Sequence, residues 1–166
     1  MLLRTKLSKG RYTYKLDDCI RKIWVGTDWE QHLYASSVQE HVNIMHKVFP
    51  GYLLNHGNFN KHSYFIDYKF LPGTSIMKYS HTPQFIEKFR KFCIDNVKET
   101  FPYSHGDWTL ANVLEHKGKW TLIDWDTVGE RSITQVQRTM NNRLKGMFGY
   151  KVDIVQKREL LFMEKH

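Results

Sequence analysis

Cysteine, proline and long apolar runs are scarce in this sequence. Of 166 residues, 2 are cysteine and 4 are proline. Cys19 and Cys93 lack CxxC spacing, so they predict buried thiols in a reducing compartment rather than a disulfide framework. No apolar run is long enough to span a bilayer, and the first residues, MLLRTKLSKGRYTY, contain no apolar stretch of signal-peptide length. We therefore expect a cytoplasmic protein without membrane contact.

Several common catalytic and binding patterns are also missing. The nine histidines form no HExxH and no Cys/His zinc pattern, and there is neither a GxSxG elbow nor a GxxxxGKS/T phosphate loop. The net charge is +8, but Lys and Arg are scattered rather than gathered into a nucleic-acid-binding arm. This pattern favours a solvated basic surface, and nucleic-acid binding stays an alternative supported by charge alone.

What is present predicts a packed α+β protein. Hydrophobic residues make up 41% and aromatic residues 14% of the chain, enough for a core. Residue patterns predict strands over 11–16, 19–25, 63–71, 112–116 and 119–125, and helices over 29–49, 83–100 and from 132 onward. Because strands dominate before Pro72 and helices after it, we expect one domain with two lobes, residues 1–71 and 72–166.

The segment 103–126, YSHGDWTLANVLEHKGKWTLIDWD, groups residues suited to phosphoryl transfer. That reaction needs a carboxylate for the acceptor hydroxyl and oxygen ligands for magnesium near the phosphates. Asp107 lies in a glycine-containing loop, and the predicted hairpin brings Asn112 and Asp124 together at its open end. An HGD turn alone is more often structural, with the Asp capping backbone groups. The later Asn and Asp favour the catalytic interpretation.

HGDWTLANVL followed by LIDWD resembles the HGDxxxxN…IDxx signature of the aminoglycoside phosphotransferase, choline kinase and homoserine kinase families. These families share the protein-kinase-like fold, so the resemblance implies a minimal two-lobed form with a small β-rich N-lobe and a reduced helical C-lobe. It implies that Asp107 is the catalytic carboxylate, that Asn112 and Asp124 hold Mg²⁺, and that His105 is a structural hydrogen-bonding residue. The implied reaction is transfer of the γ-phosphoryl group of ATP to a hydroxyl, on a small molecule.

This fold also requires a strand lysine that contacts the α- and β-phosphates and pairs with a helix glutamate. Lys22 lies in the middle of a predicted strand, and Glu40, in the middle of the predicted helix 29–49, is its expected partner. Ile20 shares the strand face of Lys22 and is expected to cover the adenine. The alternative for Lys22 is an ordinary lysine on an edge strand.

The remaining nucleotide contacts follow from the same resemblance. YKFLPGTSI resembles the hinge of the family, which implies that adenine meets backbone groups near Lys69 and Leu71. The loop LSKGRYT, residues 7–13, is expected to cover the phosphates, although it contains one glycine where protein kinases have three.

The segment after Asp126 predicts an open acceptor site. Residues 127–166 stand where the family has a larger helical subdomain, so we expect a second subunit or a bulky acceptor to complete the site. The apolar run LLFM, residues 160–163, is the predicted surface for a homodimer. Two rival functions stay open: a pseudokinase that binds nucleotide without turnover, and a nucleic-acid-binding protein on a kinase scaffold.

Overall fold

The structure, a computed structural model, describes residues 2–6 and 10–164. The chain divides into two compact units, Met1–Leu71 and Pro72–His166. The first unit is rich in strands and the second contains two of the three α-helices found in the described residues. This is a mixed α and β architecture.

The first unit is built on an antiparallel sheet. In the described residues its strands are β1 (Leu2–Lys6), β2 (Arg11–Lys15), β3 (Cys19–Val25), β4 (Leu53–Asn60) and β5 (Ser63–Lys69), in the order β1-β2-β3-β5-β4. The predicted hairpin and third strand are confirmed as β2, β3 and β5. The sequence does not predict strands β1 and β4. In β4, LLNHGNFN, the reason is that Asn and Gly disfavour strands.

The helix of the first unit, α1 (Val38–Val48), begins nine residues after the predicted start at Trp29. Ser37 is its N-cap, and the Oγ atom of Ser37 accepts the backbone N–H of Glu40 at 3.0 Å. Serine followed three residues later by glutamate is a capping-box pattern, so the sequence did contain the signal for this start. Residues Asp28–Gln31 form a separate 3-10 turn.

The second unit contains α2 (Pro83–Thr100), a helix predicted with the same bounds. Thr82 caps it, Pro83 fills its first turn, and Phe89, Cys93 and Val97 are fully buried on its inner face. A second helix, α3 (Ile133–Phe148), starts at a capping box of Ser132 and Gln135. Among the described residues, no helix has the length and apolar character needed to cross a membrane.

Short strands complete the second unit. They are β6 (Thr74–Ser75), β7 (Tyr103–Ser104), β8 (Val113–His116), β9 (Lys119–Leu122) and β10 (Gly129–Glu130). Strands β8 and β9 form the predicted hairpin, with Val113 opposite Leu122, and β6 pairs with β8. Strand β7 pairs with β10, which joins the start of the predicted catalytic segment to the residues that follow it.

The last described segment packs back onto this unit. Residues Lys157–Glu164 form 3-10 turns in which Leu160 is fully buried. The ring of Phe162 meets that of Phe101 edge to face. The prediction that the LLFM run is a surface for self-association is therefore wrong for Leu160, because this side chain fills the interior of its own unit. A homodimer stays a prediction.

Candidate active site

The loop that carries Asp107 connects β7 to β8 and is anchored by Arg131. The guanidinium of this buried arginine donates to the carbonyl oxygens of Ser104 and Thr127, each at 2.6 Å. Gly106 has a φ of +80°, and a Cβ atom there would lie 2.4 Å from Nη2 of Arg131. The glycine of HGD is thus required twice, for its backbone conformation and for the close approach of Arg131.

His105 joins the loop to the strand that precedes Asp124. Its Nδ1 atom accepts the backbone N–H of Asp107 at 3.2 Å, so the proton lies on Nε2, which donates to the carbonyl of Ile123 at 2.9 Å. The imidazole is fully buried against the Trp125 ring. Burial lowers the pKa of His105 to about 4, although the hydrogen bond to Ile123 opposes this. The neutral imidazole required by both hydrogen bonds therefore persists at neutral pH.

Asn112 connects Asp107 to the hairpin. Its Nδ2 atom donates to the Asp107 carboxylate oxygen Oδ2 at 3.0 Å and to the Asp107 carbonyl at 3.1 Å. The backbone carbonyl of Asn112 accepts the backbone N–H of Ile123 at 2.8 Å. Asn112 therefore lies next to the residue that precedes Asp124. The structure thus joins Asn112 to Asp107 through its side chain and to the residue before Asp124 through its backbone.

Asp124 has an unusual backbone conformation. Its φ of 61° and ψ of 60° lie in the left-handed region, which costs a non-glycine residue about 1–2 kcal/mol. The 3-10 turn Trp125–Thr127 follows at once, with the Trp125 indole donating to the Leu122 carbonyl at 2.9 Å. Strained residues of this kind cluster at functional sites, because the surrounding structure must hold them in place.

Arg143 on α3 also contacts Asp107, which the sequence did not predict. Its Nη2 atom lies 2.8 Å from Oδ1 of Asp107, an ion pair in which the arginine is 48% and the aspartate 28% exposed. Asp107 is therefore held at both carboxylate oxygens, by Asn112 at Oδ2 and by Arg143 at Oδ1. No spacing in the sequence marks Arg143, because the contact depends on how α3 is rotated.

The donor set of this segment fits magnesium. The side-chain oxygen of Asn112 and the carboxylate of Asp124 are hard oxygen ligands, and Mg²⁺ usually takes one or two such ligands together with phosphate and water. No cluster of three or more His, Cys, Asp or Glu side chains suited to a metal occurs in the part of the chain that the structure describes. A fully protein-bound metal would need such a cluster, whereas a metal carried by phosphates does not.

In the first unit, Lys22 is buried on an inner strand. The residue is 6% exposed, and its Nζ atom lies 5.2 Å from the centre of the Tyr68 ring. Strand β3 lies between β2 and β5, so the alternative of an ordinary edge-strand lysine is wrong. His41 is fully buried and bonded to the Tyr68 hydroxyl at 2.8 Å. Burial and the nearby charge of Lys22 lower the pKa of His41 to about 4.

Glu40 does not occupy the predicted position. It lies in the first turn of α1 rather than in mid-helix, and its exposed carboxylate accepts from the backbone N–H and the hydroxyl of Ser36 at 2.7 and 2.5 Å. These hydrogen bonds lower the pKa of Glu40. The predicted pairing with Lys22 is wrong, because the helix starts at Val38 and the Glu40 carboxylate bonds to Ser36 at its start.

The other predicted nucleotide contacts fall at the end of the sheet. Ile20 lies on β3 opposite Tyr68. Lys69 ends β5 and is exposed, with its backbone N–H donated to the Tyr52 carbonyl at 2.7 Å, and Leu71 follows outside the strand. Of the predicted phosphate-covering loop, residues 7–9 lie outside the described residues. Gly10 has a φ of +57°, which fits the expected need for glycine there.

Comparison with known proteins identifies the fold but not the family. No model of a protein family matches the sequence, and no curated protein matches it. Two solved structures of WbdD, described as a bifunctional kinase-methyltransferase, are similar to it with TM-scores of 0.55 and 0.54 at 12% and 15% identity. They cover 96% and 95% of this chain, which spans 43% and 42% of theirs, less than half of each. At this identity the similarity is one of fold: the chain folds like part of a protein that contains a kinase.

Proposed function

We propose that the chain is an ATP-dependent, Mg²⁺-dependent phosphotransferase of the aminoglycoside/choline kinase type, acting on a hydroxyl of a small molecule. The observation that carries this proposal is the assembly of Asp107, Asn112 and Asp124 on one loop and hairpin. The similarity in fold to WbdD, a kinase-methyltransferase, supports it. The acceptor is defined only as a molecule that presents a hydroxyl group.

Asp107 acts on the acceptor. Its carboxylate orients the hydroxyl and takes its proton as the oxygen bonds to phosphorus and the bond from phosphorus to ADP breaks. Orientation matters as much as basicity here, because little other covalent chemistry is left for the protein. The hydrogen bond from Asn112 and the ion pair with Arg143 hold the carboxylate in one orientation.

Asn112 and Asp124 would hold Mg²⁺ through their side-chain oxygens. When bound, the ion neutralises phosphate charge and aligns the transferred group. The chain prepares these ligands in advance: Asn112 has its amide nitrogen turned toward Asp107, and Asp124 is held in a left-handed conformation. His105 ties the two parts of the site together through Asp107 and Ile123.

Lys22 is the proposed contact to the α- and β-phosphates. Lysine is among the residues least often buried in proteins. A lysine 6% exposed on an inner strand is therefore a stronger candidate for a functional role than a surface lysine. Glu40 bonds to Ser36 instead, so the support for this contact is the burial of Lys22 on an inner strand.

Calorimetry with ATP and turnover of ATP test the proposal directly. We expect binding in the presence of Mg²⁺, weaker binding with EDTA, and slow release of phosphate that Asp107→Asn suppresses. Asp95→Asn is the matched control and should change neither measurement, because this half-exposed aspartate pairs with Lys91 on α2. Binding without turnover would favour the pseudokinase alternative, and binding of RNA or DNA without ATP would favour the nucleic-acid alternative.

A further inference from the structure

Arg143 presents unused hydrogen-bond donors beside Asp107. A guanidinium carries five N–H donors in a rigid fork. Its Nη2 atom contacts Asp107, and within the described residues Arg143 has no other ion-pair or hydrogen-bond partner. Its side chain is 48% exposed, so these donors are open to a ligand.

The loop that carries Asp107 contributes no positive charge between Asp107 and Asn112. The segment DWTLAN, from Asp107 to Asn112, contains no basic residue. A phosphate group that approaches the Asp107 carboxylate meets a like charge, which opposes binding unless a cation lies between them. Arg143 is a cation that already contacts this carboxylate.

The helix that carries Arg143 is suited to this task. The charged residues of α3 are Arg138, Arg143 and Lys145, with no acidic residue among them. Its inner face is fixed by Val136, Met140 and Leu144, all buried. The contact with Asp107 orients the guanidinium, and its planar fork favours recognition of a phosphate through two parallel hydrogen bonds.

We infer that Arg143 forms a phosphate-binding subsite beside Asp107, in which its open donors bind phosphate oxygens while Nη2 keeps its contact with the carboxylate. The inference rests on the proposed function, because it takes Asp107 as the catalytic carboxylate. The phosphate has two sources with the same chemistry: the phosphoryl group in transfer, or an anionic group on the acceptor.

The test uses inorganic phosphate as the probe and the full chain as the protein. Phosphate is titrated by calorimetry, alone and with saturating Mg·ADP, into the wild type, Arg143→Gln, Arg143→Lys and the matched control Arg138→Gln. Arg138 is exposed on the same helix, and its substitution changes the net charge equally. Circular dichroism melting, together with Mg·ADP affinity, checks that each variant is folded.

We expect Arg143→Gln to weaken phosphate binding about tenfold or more, since hydrogen bonds to charged groups are lost. Arg143→Lys should recover part of the phosphate affinity, because lysine keeps the charge without the fork. The phosphate affinity of Arg138→Gln should stay within about twofold of that of the wild type. Equal affinities in Arg143→Gln and Arg138→Gln, or no phosphate binding by the wild type in either condition, would overturn the inference.

A third titration, with a non-hydrolysable Mg·ATP analogue, separates the two sources. Phosphate binding that is strengthened by Mg·ADP and lost with the analogue identifies the position of the phosphoryl group in transfer. Binding that persists with the analogue identifies an anionic group of the acceptor. Failure of the wild type to bind Mg·ADP would contradict the proposed function instead, and the titration without nucleotide would still test Arg143.

Discussion

The predicted site residues of the two units have different surroundings. In Pro72–His166, Asn112 and Arg143 each hold one oxygen of the Asp107 carboxylate. In Met1–Leu71, Lys22 is buried near an aromatic ring and a neutral histidine, and the predicted glutamate lies elsewhere. A site whose members lie close along the chain is fixed by local structure, whereas one assembled from a distant strand and helix depends on where the helix begins.

The strongest test of the catalytic role proposed for the second unit is a substitution at Asp107. Asp107→Asn keeps the shape of the side chain but removes the base, so ATP turnover should fall roughly a thousandfold. Mg·ATP affinity, measured by calorimetry, should change little, because this carboxylate acts on the acceptor. A variant that turns over ATP at a rate near that of the wild type would remove Asp107 from catalysis.

Among the described residues, each unit contains one buried histidine, and both make stability depend on pH. The pKa values of His41 and His105 are lowered by burial to about 4, from an ordinary value of 6.5. In the unfolded chain both histidines take up a proton below pH 6.5, while the folded chain resists protonation until about pH 4. The unfolded state thus binds more protons in this window, and stability falls as the pH falls through it.

The loss should reach about 3 kcal/mol for each histidine by pH 4. Denaturant unfolding between pH 7 and 4 measures it. His41→Gln should remove the first unit's contribution to the pH dependence of the unfolding free energy. The control is His46→Gln, at an exposed histidine on the same helix, which should leave the slope of unfolding free energy against pH unchanged. Equal slopes in all three proteins would show that His41 is not the source.

A substitution at Asp124 tests whether the second unit provides the metal ligand. Asp124→Ala should weaken nucleotide binding about 10- to 100-fold when Mg²⁺ is present, because a bound ion loses its anionic ligand. Binding measured with EDTA should be the same in both proteins, which provides the internal control. An unchanged affinity with Mg²⁺ would place the metal elsewhere.

The glycine of the HGD loop allows a matched test of packing. Gly106 and Gly118 have similar φ values, +80° and +78°, but a Cβ at Gly106 would meet Arg131 whereas one at Gly118 meets nothing within 4 Å. Gly118→Ala should cost about 1 kcal/mol, the strain of the left-handed backbone. Gly106→Ala should cost about 2 kcal/mol more, because the buried guanidinium must move and give up its hydrogen bonds. Chemical unfolding of both variants would show equal losses if Arg131 can move without cost.

Much of the second unit could be predicted because its signals are local. Helix α2 has a cap at Thr82 and a proline at its first position, and the β8–β9 hairpin turns at Lys117-Gly118. The meeting of Asn112 with the residue before Asp124 follows from that hairpin alone. The contact of Arg143 with Asp107 could not be predicted, because it depends on how a helix far along the chain packs against the loop.

The first unit was predicted less completely for the same physical reason. The hairpin β2–β3 follows from a two-strand pattern around Asp17-Asp18, and β3 and β5 pair along their full length. The prediction that Glu40 pairs with Lys22 depends on which residues of α1 face the sheet. A helix that starts at Val38 presents His41 to the interior and leaves Glu40 outside.

The smallest expected effect is that of Glu40→Gln, which tests whether Glu40 acts at the start of its helix rather than beside Lys22. Glu40→Gln keeps a hydrogen-bonding side chain but removes the charge that accepts from Ser36. Loss of a capping interaction of this kind should cost about 0.5–1 kcal/mol of unfolding free energy and leave Mg·ATP affinity unchanged. Lys22→Met, measured beside it, should weaken Mg·ATP binding through loss of the phosphate contact. If Glu40→Gln weakened Mg·ATP binding as strongly as Lys22→Met, the two residues would act as a pair. The contact of Glu40 with Ser36 would then not be its role in the nucleotide-bound protein.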